Sequence, residues 1–125
     1  IIQVIKLIII QILIDIFYLK LISSKFSKMI SNIQGYPIKF KLYSAIITYI
    51  LMSYGLKILV IDTKNSLNEK FKKAFLLGVV VYGVFDFTNL TIIDKWQLEL
   101  SIMDMIWGGI LFVLTVYFDN KIKLF

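Results

Sequence analysis

Four long apolar segments constrain this chain more than any other feature of its sequence. They cover approximately residues 1–22, 42–61, 71–93 and 98–118. Each is close to the length of about 20 residues that a helix needs to cross the hydrocarbon core of a bilayer. Hydrophobic residues make up 59% of the 125 positions, more than a domain of this size can hide from water. We therefore predict an all-α membrane protein, an antiparallel bundle of four transmembrane helices in which residues 1–125 form a single domain.

The first apolar segment differs from a secretory signal peptide in three ways. It is longer, it carries Asp15 and Lys20, and it has no cleavage site of small residues. We expect it to remain in the protein as the first span.

An amphipathic stretch between the first two spans predicts an additional short helix over about residues 24–34. Its apolar residues recur at helical spacing, at Phe26, Met29, Ile30 and Ile33. Gly35, followed by Pro37, is suited to end such a helix. We predict that this helix lies in the membrane interface, and the alternative is a disordered polar loop.

Several residue types that support common chemistries are missing. The sequence has no Cys, no His and no Arg, and its 14 basic residues are all Lys. Disulfides, thiolate or imidazole metal sites and the usual nucleophilic triads are therefore excluded. We expect no catalytic residues, no enzyme activity and no cofactor. The formal charge of +6 comes from lysine clusters between apolar runs, which favours contact with lipid headgroups over nucleic acid.

The lysines also bear on orientation, because cytoplasmic loops are enriched in them. Four spans place both termini on one side of the membrane. Eight lysines then lie on that side, namely Lys6, Lys57, Lys64, Lys70, Lys72, Lys73, Lys121 and Lys123. Six lie on the other side, namely Lys20, Lys25, Lys28, Lys39, Lys41 and Lys95. This small excess predicts cytoplasmic termini, in an inner or plasma membrane or in a virion membrane.

Three acids lie inside the predicted spans, where a carboxylate costs about 2.5–3.5 kcal/mol to insert and normally faces the bundle interior. Asp15 and Asp86 each lie seven residues before the end of their span, and Asp104 lies six residues after the start of its own. At a rise of 1.5 Å per residue, all three lie roughly 10 Å below the same membrane surface. The sequence therefore predicts that they share one level of the bundle.

Other side chains fall near these acids at helical spacing. The candidate ligand-binding or ion-binding residues are Asp15, Asp86, Thr88, Asn89 and Asp104, and the expected supporting residues are Tyr18, Tyr82, Trp96, Trp107 and Gly108. This oxygen-rich set suits a hard cation, protons or a polar headgroup, and the identity of any metal stays open. Alternatively, protonated Asp and Asn side chains simply tie the helices together. Small residues are expected to let the helices approach closely, at Gly78, Gly83, Gly108 and Gly109.

The run from Tyr82 to Thr91, with Trp96 after it and the segment Asp104–Gly108 beyond, resembles the motif of a known family. This is a family of small bacterial inner-membrane proteins known as domain of unknown function 2177. The resemblance continues through Asp15, Tyr49 and Gly55 over nearly the whole chain. It implies a four-span membrane protein with shared Asp, Thr, Asn and Trp positions, and it implies no activity. The chain departs from the family pattern at positions 18, 87, 91 and 97, and these departures affect what the resemblance implies about the fine geometry.

Two classes of function follow from these observations. Small size and short loops favour a structural or assembly subunit, a scaffold of a cellular or viral membrane that packs as a homo-oligomer or against another membrane protein. The alternative is a protein that binds or transports a cation, a proton or a lipid headgroup through its Asp and Asn cluster. In that case Asp86 is the pivotal acid, with Asp15 and Asp104 as its partners.

Overall fold

The computed structural model describes residues 1–122, and the regular structure within that range is helical. The four helices are α1 (Ile2–Gln34), α2 (Leu42–Leu56), α3 (Leu67–Ile92) and α4 (Leu98–Lys121), and a π-helical turn over Lys57–Ile61 continues α2. With that turn included, all four are long and apolar enough to cross a membrane. The predicted all-α architecture with four spans is confirmed. The orientation of the termini stays a prediction, and Lys123, which enters the lysine count, lies outside the described residues.

Helix α1 runs through the first predicted span and through the predicted interfacial helix without a break. Its 33 residues measure about 50 Å at 1.5 Å per residue, far more than the hydrocarbon core. Near its end, Ile22 and Met29 pack with Trp96 and Leu100 against the turn between α3 and α4. Residues 24–34 are therefore helical, as predicted, but they do not form a separate helix lying in the interface. Gly35, with a left-handed φ of 83°, ends α1.

Helix α3 begins before the third predicted span, at Leu67 instead of residue 71. The Ser66 Oγ accepts a hydrogen bond from the Glu69 N–H at 3.3 Å and so caps the first turn. Glu69 also lies where the helix dipole stabilises an acid. Residues 67–70, which precede the predicted third span, are therefore the first turn of the helix.

Helix α4 occupies the centre of the bundle. It packs extensively against α3 and also against α1, and α1 in turn contacts α2. Glycines bring α3 and α4 close together: a Cβ added at Gly78 would lie 2.8 Å from the Gly109 Cα and nearer still to the Gly108 carbonyl. The expectation that these small residues permit close helix packing is confirmed for this pair of helices.

Two apolar clusters divide the interior of the bundle. One contains Leu56, Leu111 and Phe112, towards the end of the bundle at which α1 begins and α4 ends. The other contains Ile22, Met29, Trp96 and Leu100, at the opposite end. Along α4, Asp104 lies between Leu100 and Leu111, so the polar side chains described next lie between two apolar layers.

Candidate functional site

Three acids from three different helices are buried in the middle of the bundle, and we call them the carboxyl cluster. Asp15 on α1, Asp86 on α3 and Asp104 on α4 are 8%, 0% and 9% exposed. Helical periodicity turns them inward, since each shares a buried face with apolar or small residues of its own helix. The structure therefore brings together the three acids that the sequence singled out.

Asp15 has a hydrogen-bond donor for each of its carboxyl oxygens. The Trp107 Nε1–H of α4 donates to Oδ1 at 3.0 Å. The Tyr49 hydroxyl of α2 donates to Oδ2. Asp15 thus joins three helices, and it is the member of the cluster whose oxygens are both satisfied.

An aromatic stack connects Asp15 to Asp104. The rings of Tyr18 and Trp107 are nearly parallel, with 3° between their planes and 4.5 Å between their centroids. Packing against the indole positions the Tyr18 hydroxyl, which donates to the Asp104 Oδ1 at 3.3 Å, a long distance for a hydroxyl donor. Asp15 and Asp104 are therefore linked through Trp107 and Tyr18.

Asp86 differs from the other two acids because neither of its carboxyl oxygens has a hydrogen-bond partner within residues 1–122, although the side chain is fully buried. The Asp104 carboxyl and the Trp96 indole face it. The indole N–H of Trp96, however, donates to the Ser101 Oγ at 3.0 Å. A buried carboxyl without a partner is costly, and such a group calls for an explanation.

A cavity of about 440 Å³ opens between α2 and α3, and we call it the α2–α3 cavity. Asp104 contributes to its wall, so one acid of the cluster is in contact with open space. The remaining lining residues are Thr48, Leu51, Met52, Val81, Tyr82 and Phe85. The carboxyl cluster therefore borders a largely apolar cavity.

Two further polar contacts lie along α1, outside the predicted site. The Ser53 hydroxyl donates to the Gln11 Oε1 at 3.2 Å, and both side chains are fully buried. The Lys6 Nζ lies 3.1 Å from the Asp119 Oδ1 in an ion pair that is almost excluded from the surface. Sequence reasoning did not assign Tyr49, Ser53 or Asp119 to any site. For Asp119 the available signal was its spacing of four residues from Thr115 on the inner face of α4, whereas the apolar surroundings of Tyr49 and Ser53 in α2 gave no such signal.

The structure does not place every predicted residue near the acids. Thr88 is exposed, and Asn89 is half-buried with no side-chain hydrogen bond among the described residues. Trp96 faces Asp86, and Gly108 lies at the crossing with α3, against Gly78 and Tyr82. Thr88 and Asn89 thus lie outside the hydrogen-bonded network, whereas the predicted aromatic residues line it.

The chemistry available to the cluster is proton exchange and charge pairing. Within residues 1–122, no three His, Cys, Asp or Glu side chains are arranged to hold a metal ion. The ion pairs in that range, at Lys6, Lys57 and Lys72, involve other acids. The carboxyls therefore share their surroundings with phenols and indoles, which supply hydrogen-bond donors without positive charge.

Comparison with known proteins identifies one family. A family model described as a predicted membrane protein (DUF2177) matches residues 1–118, which confirms the resemblance seen in the sequence. No curated protein and no solved structure matches the chain.

Proposed function

The chain belongs to the DUF2177 family of predicted membrane proteins, and we propose that it binds and releases protons at the carboxyl pair Asp86 and Asp104. The proposal involves no catalysed reaction. The observation that carries it is the state of Asp86, which is fully buried and has no hydrogen-bond partner for either oxygen among residues 1–122. The protein itself is an integral membrane protein with four apolar spans.

An ionised carboxylate at the position of Asp86 would be unstable. Without a cation or a hydrogen-bond donor, a buried charge costs far more than a buried neutral group. Two carboxyls that face each other also cannot both ionise cheaply, so one of them retains a proton. A proton on Asp86 neutralises that group and supplies the donor that the facing Asp104 can accept.

Phenols extend the pair towards Asp15. A tyrosine hydroxyl both donates and accepts a hydrogen bond, so it can pass a proton between neighbouring oxygens. Tyr18 bonds Asp104 and Tyr49 bonds Asp15, and Tyr82 lies near both of these acids. Helices α1 and α2 therefore each contribute a phenol that is bonded to an acid of the carboxyl cluster.

Infrared spectroscopy tests the proposal directly, because a protonated carboxyl has a carbonyl band of its own. In the detergent-purified protein we expect such a band, and we expect its intensity to fall as pH rises and the pair loses its proton. Asp86→Asn should remove one band, whereas Asp94→Asn, at an exposed acid outside the cluster, should leave the spectrum unchanged. A wild-type spectrum without a protonated carboxyl, or one that Asp86→Asn does not alter, refutes the proposal.

Flux measurements extend the same test to the membrane. Liposomes that contain the protein and an internal pH indicator report proton entry when a potential is applied. We expect entry above that of protein-free liposomes, and we expect Asp86→Asn to abolish the excess. If the infrared band is present but proton entry is absent, the site holds a proton without conducting it.

The second candidate function is a small scaffold or assembly subunit of a cellular or viral membrane. The packing of α2 favours it: the buried residues of this helix all lie in its second half, at Met52, Ser53 and Leu56. The first half presents an apolar face that suits a second copy of the chain or another membrane protein. Crosslinking and a mass measurement in mild detergent test this candidate, and a strictly monomeric protein that purifies alone contradicts it.

A further inference from the structure

We propose that the α2–α3 cavity binds a hydrophobic organic cation, whose charge pairs with the Asp104 carboxylate. This inference shares Asp104 with the proposed proton site but does not require Asp86 to titrate. Either proposal can therefore be refuted while the other one holds.

The lining of the cavity determines which chemistry fits it. Asp104 is the one charged residue among those that line the cavity. Most of the other lining residues are aliphatic or aromatic. A carboxylate in such surroundings is stabilised by a cation and destabilised by an anion.

Two aromatic rings strengthen the preference for a cation. Tyr82 and Phe85 both line the cavity, and aromatic faces attract organic cations, most strongly where water is excluded. Thr48 and the Tyr82 hydroxyl supply hydrogen-bonding groups, but neither carries positive charge. A carboxylate beside aromatic rings is an arrangement suited to an ammonium or phosphonium group with apolar substituents.

The cavity is open on its outer side. Leu51, Val81 and Phe85 line it and are also exposed on the surface of the bundle. In a four-span membrane protein this surface faces lipid, so a cation that partitions into the bilayer can enter sideways between α2 and α3. The volume of about 440 Å³ lies within the range of pockets that hold small organic ligands, about 300–1,000 Å³.

Cation binding and proton binding compete for Asp104. The titratable groups that face it are Asp15 and Tyr18 from α1, together with Asp86 and Tyr82 from the neighbouring α3. None of them is cationic. The organic cation therefore either displaces a proton from Asp104 or pairs with an Asp104 carboxylate that is already ionised. Affinity for the cation should therefore rise with pH. The rise should reach about tenfold per pH unit over the range in which binding releases one proton.

Two probes of the same shape and opposite charge test the inference. Labelled tetraphenylphosphonium should bind the purified full chain in mild detergent and be displaced by excess unlabelled cation. Tetraphenylborate, the anion of matching shape, should show no saturable binding. Equal saturable binding of both ions overturns the proposal, because the cavity would then select only for apolar surface.

Three variants locate the binding site. Asp104→Asn should weaken phosphonium binding by at least about tenfold, since it removes a charged partner. Val81→Trp fills the cavity and should abolish binding, whereas Val84→Trp, on the same helix but outside the cavity, should leave binding unchanged. If Val81→Trp and Val84→Trp change phosphonium binding to a similar extent, the proposal is overturned. This comparison remains decisive even if Asp104→Asn does not fold.

The infrared measurement on the same samples separates the two proposals. A preparation that shows the protonated Asp86 band but binds no phosphonium overturns the cation site alone. A preparation that binds phosphonium but shows no such band overturns the proton site alone. Thermal unfolding of each variant confirms that loss of binding does not reflect loss of the fold.

Discussion

Replacing Gly78 with Ala tests the close crossing of α3 and α4. The added Cβ would lie 2.8 Å from the Gly109 Cα, whereas ordinary contacts begin at 3.4 Å, and it would approach the Gly108 carbonyl even more closely. These neighbours are backbone atoms, which cannot rotate away as a side chain can. The two helices therefore have to separate by at least 0.6 Å, the difference between those distances.

The expected free-energy change combines two opposing effects. Overpacking a well-packed interior costs about 1–3 kcal/mol, and we take the upper end because the obstacle is backbone. Alanine returns about 1 kcal/mol through its higher helix propensity. Gly78→Ala should therefore lower the free energy of unfolding by about 2 kcal/mol.

Gly55 offers a matched control in α2. A Cβ added there meets nothing within 4 Å, so Gly55→Ala should stabilise the protein by up to about 1 kcal/mol. Unfolding of both variants and of the wild type by denaturing detergent, followed by circular dichroism, gives the two free energies. If Gly78→Ala is as stable as Gly55→Ala, the close crossing of α3 and α4 does not exist.

Other predictions concern single contacts. Lys6→Gln leaves the Asp119 carboxylate buried without its cation and should cost about 3 kcal/mol, whereas Lys6→Met combined with Asp119→Leu should recover most of that loss. A double-mutant cycle in detergent measures this coupling, and strictly additive effects contradict a direct ion pair. Trp107→Phe keeps an aromatic ring but removes the N–H that bonds Asp15, so the free energy of unfolding should fall by about 1 kcal/mol. An unchanged free energy of unfolding would show that this hydrogen bond does not stabilise the protein. Thr88→Val should change stability by less than about 0.5 kcal/mol, since Thr88 is exposed, and a larger loss in the same unfolding assay would place Thr88 inside the network.

The four spans were predictable because hydropathy and length are local properties of the sequence. The limits of α4 differ little from the prediction, since its polar flanks mark both of its ends. Two helix boundaries depend on interactions that a hydropathy profile does not detect. The continuation of α1 depends on packing of Met29 against Trp96, and the early start of α3 depends on the cap at Ser66.

The carboxyl cluster was predictable because buried acids are rare and depth can be counted along a helix. Tyr49 was harder to assign to the site, because α2 is apolar on nearly every side and its periodicity does not mark the inner face. Thr88 was predicted as a neutral oxygen ligand together with Asn89, although it lies only two residues from Asp86. Two residues correspond to about 200° around a helix, which turns Thr88 away from the acids.

The central position of α4 has a consequence for biosynthesis. It is the last of the four helices to leave the ribosome, so α1, α2 and α3 enter the membrane before α4 can join them. Until then Asp15 lacks one of its two donors and Lys6 lacks its carboxylate, and unsatisfied polar groups are costly in lipid. A chain that stops after α3 is therefore expected to be recognised and degraded by membrane quality control. The order of synthesis thus makes the docking of α4 the step that completes the buried polar contacts of α1.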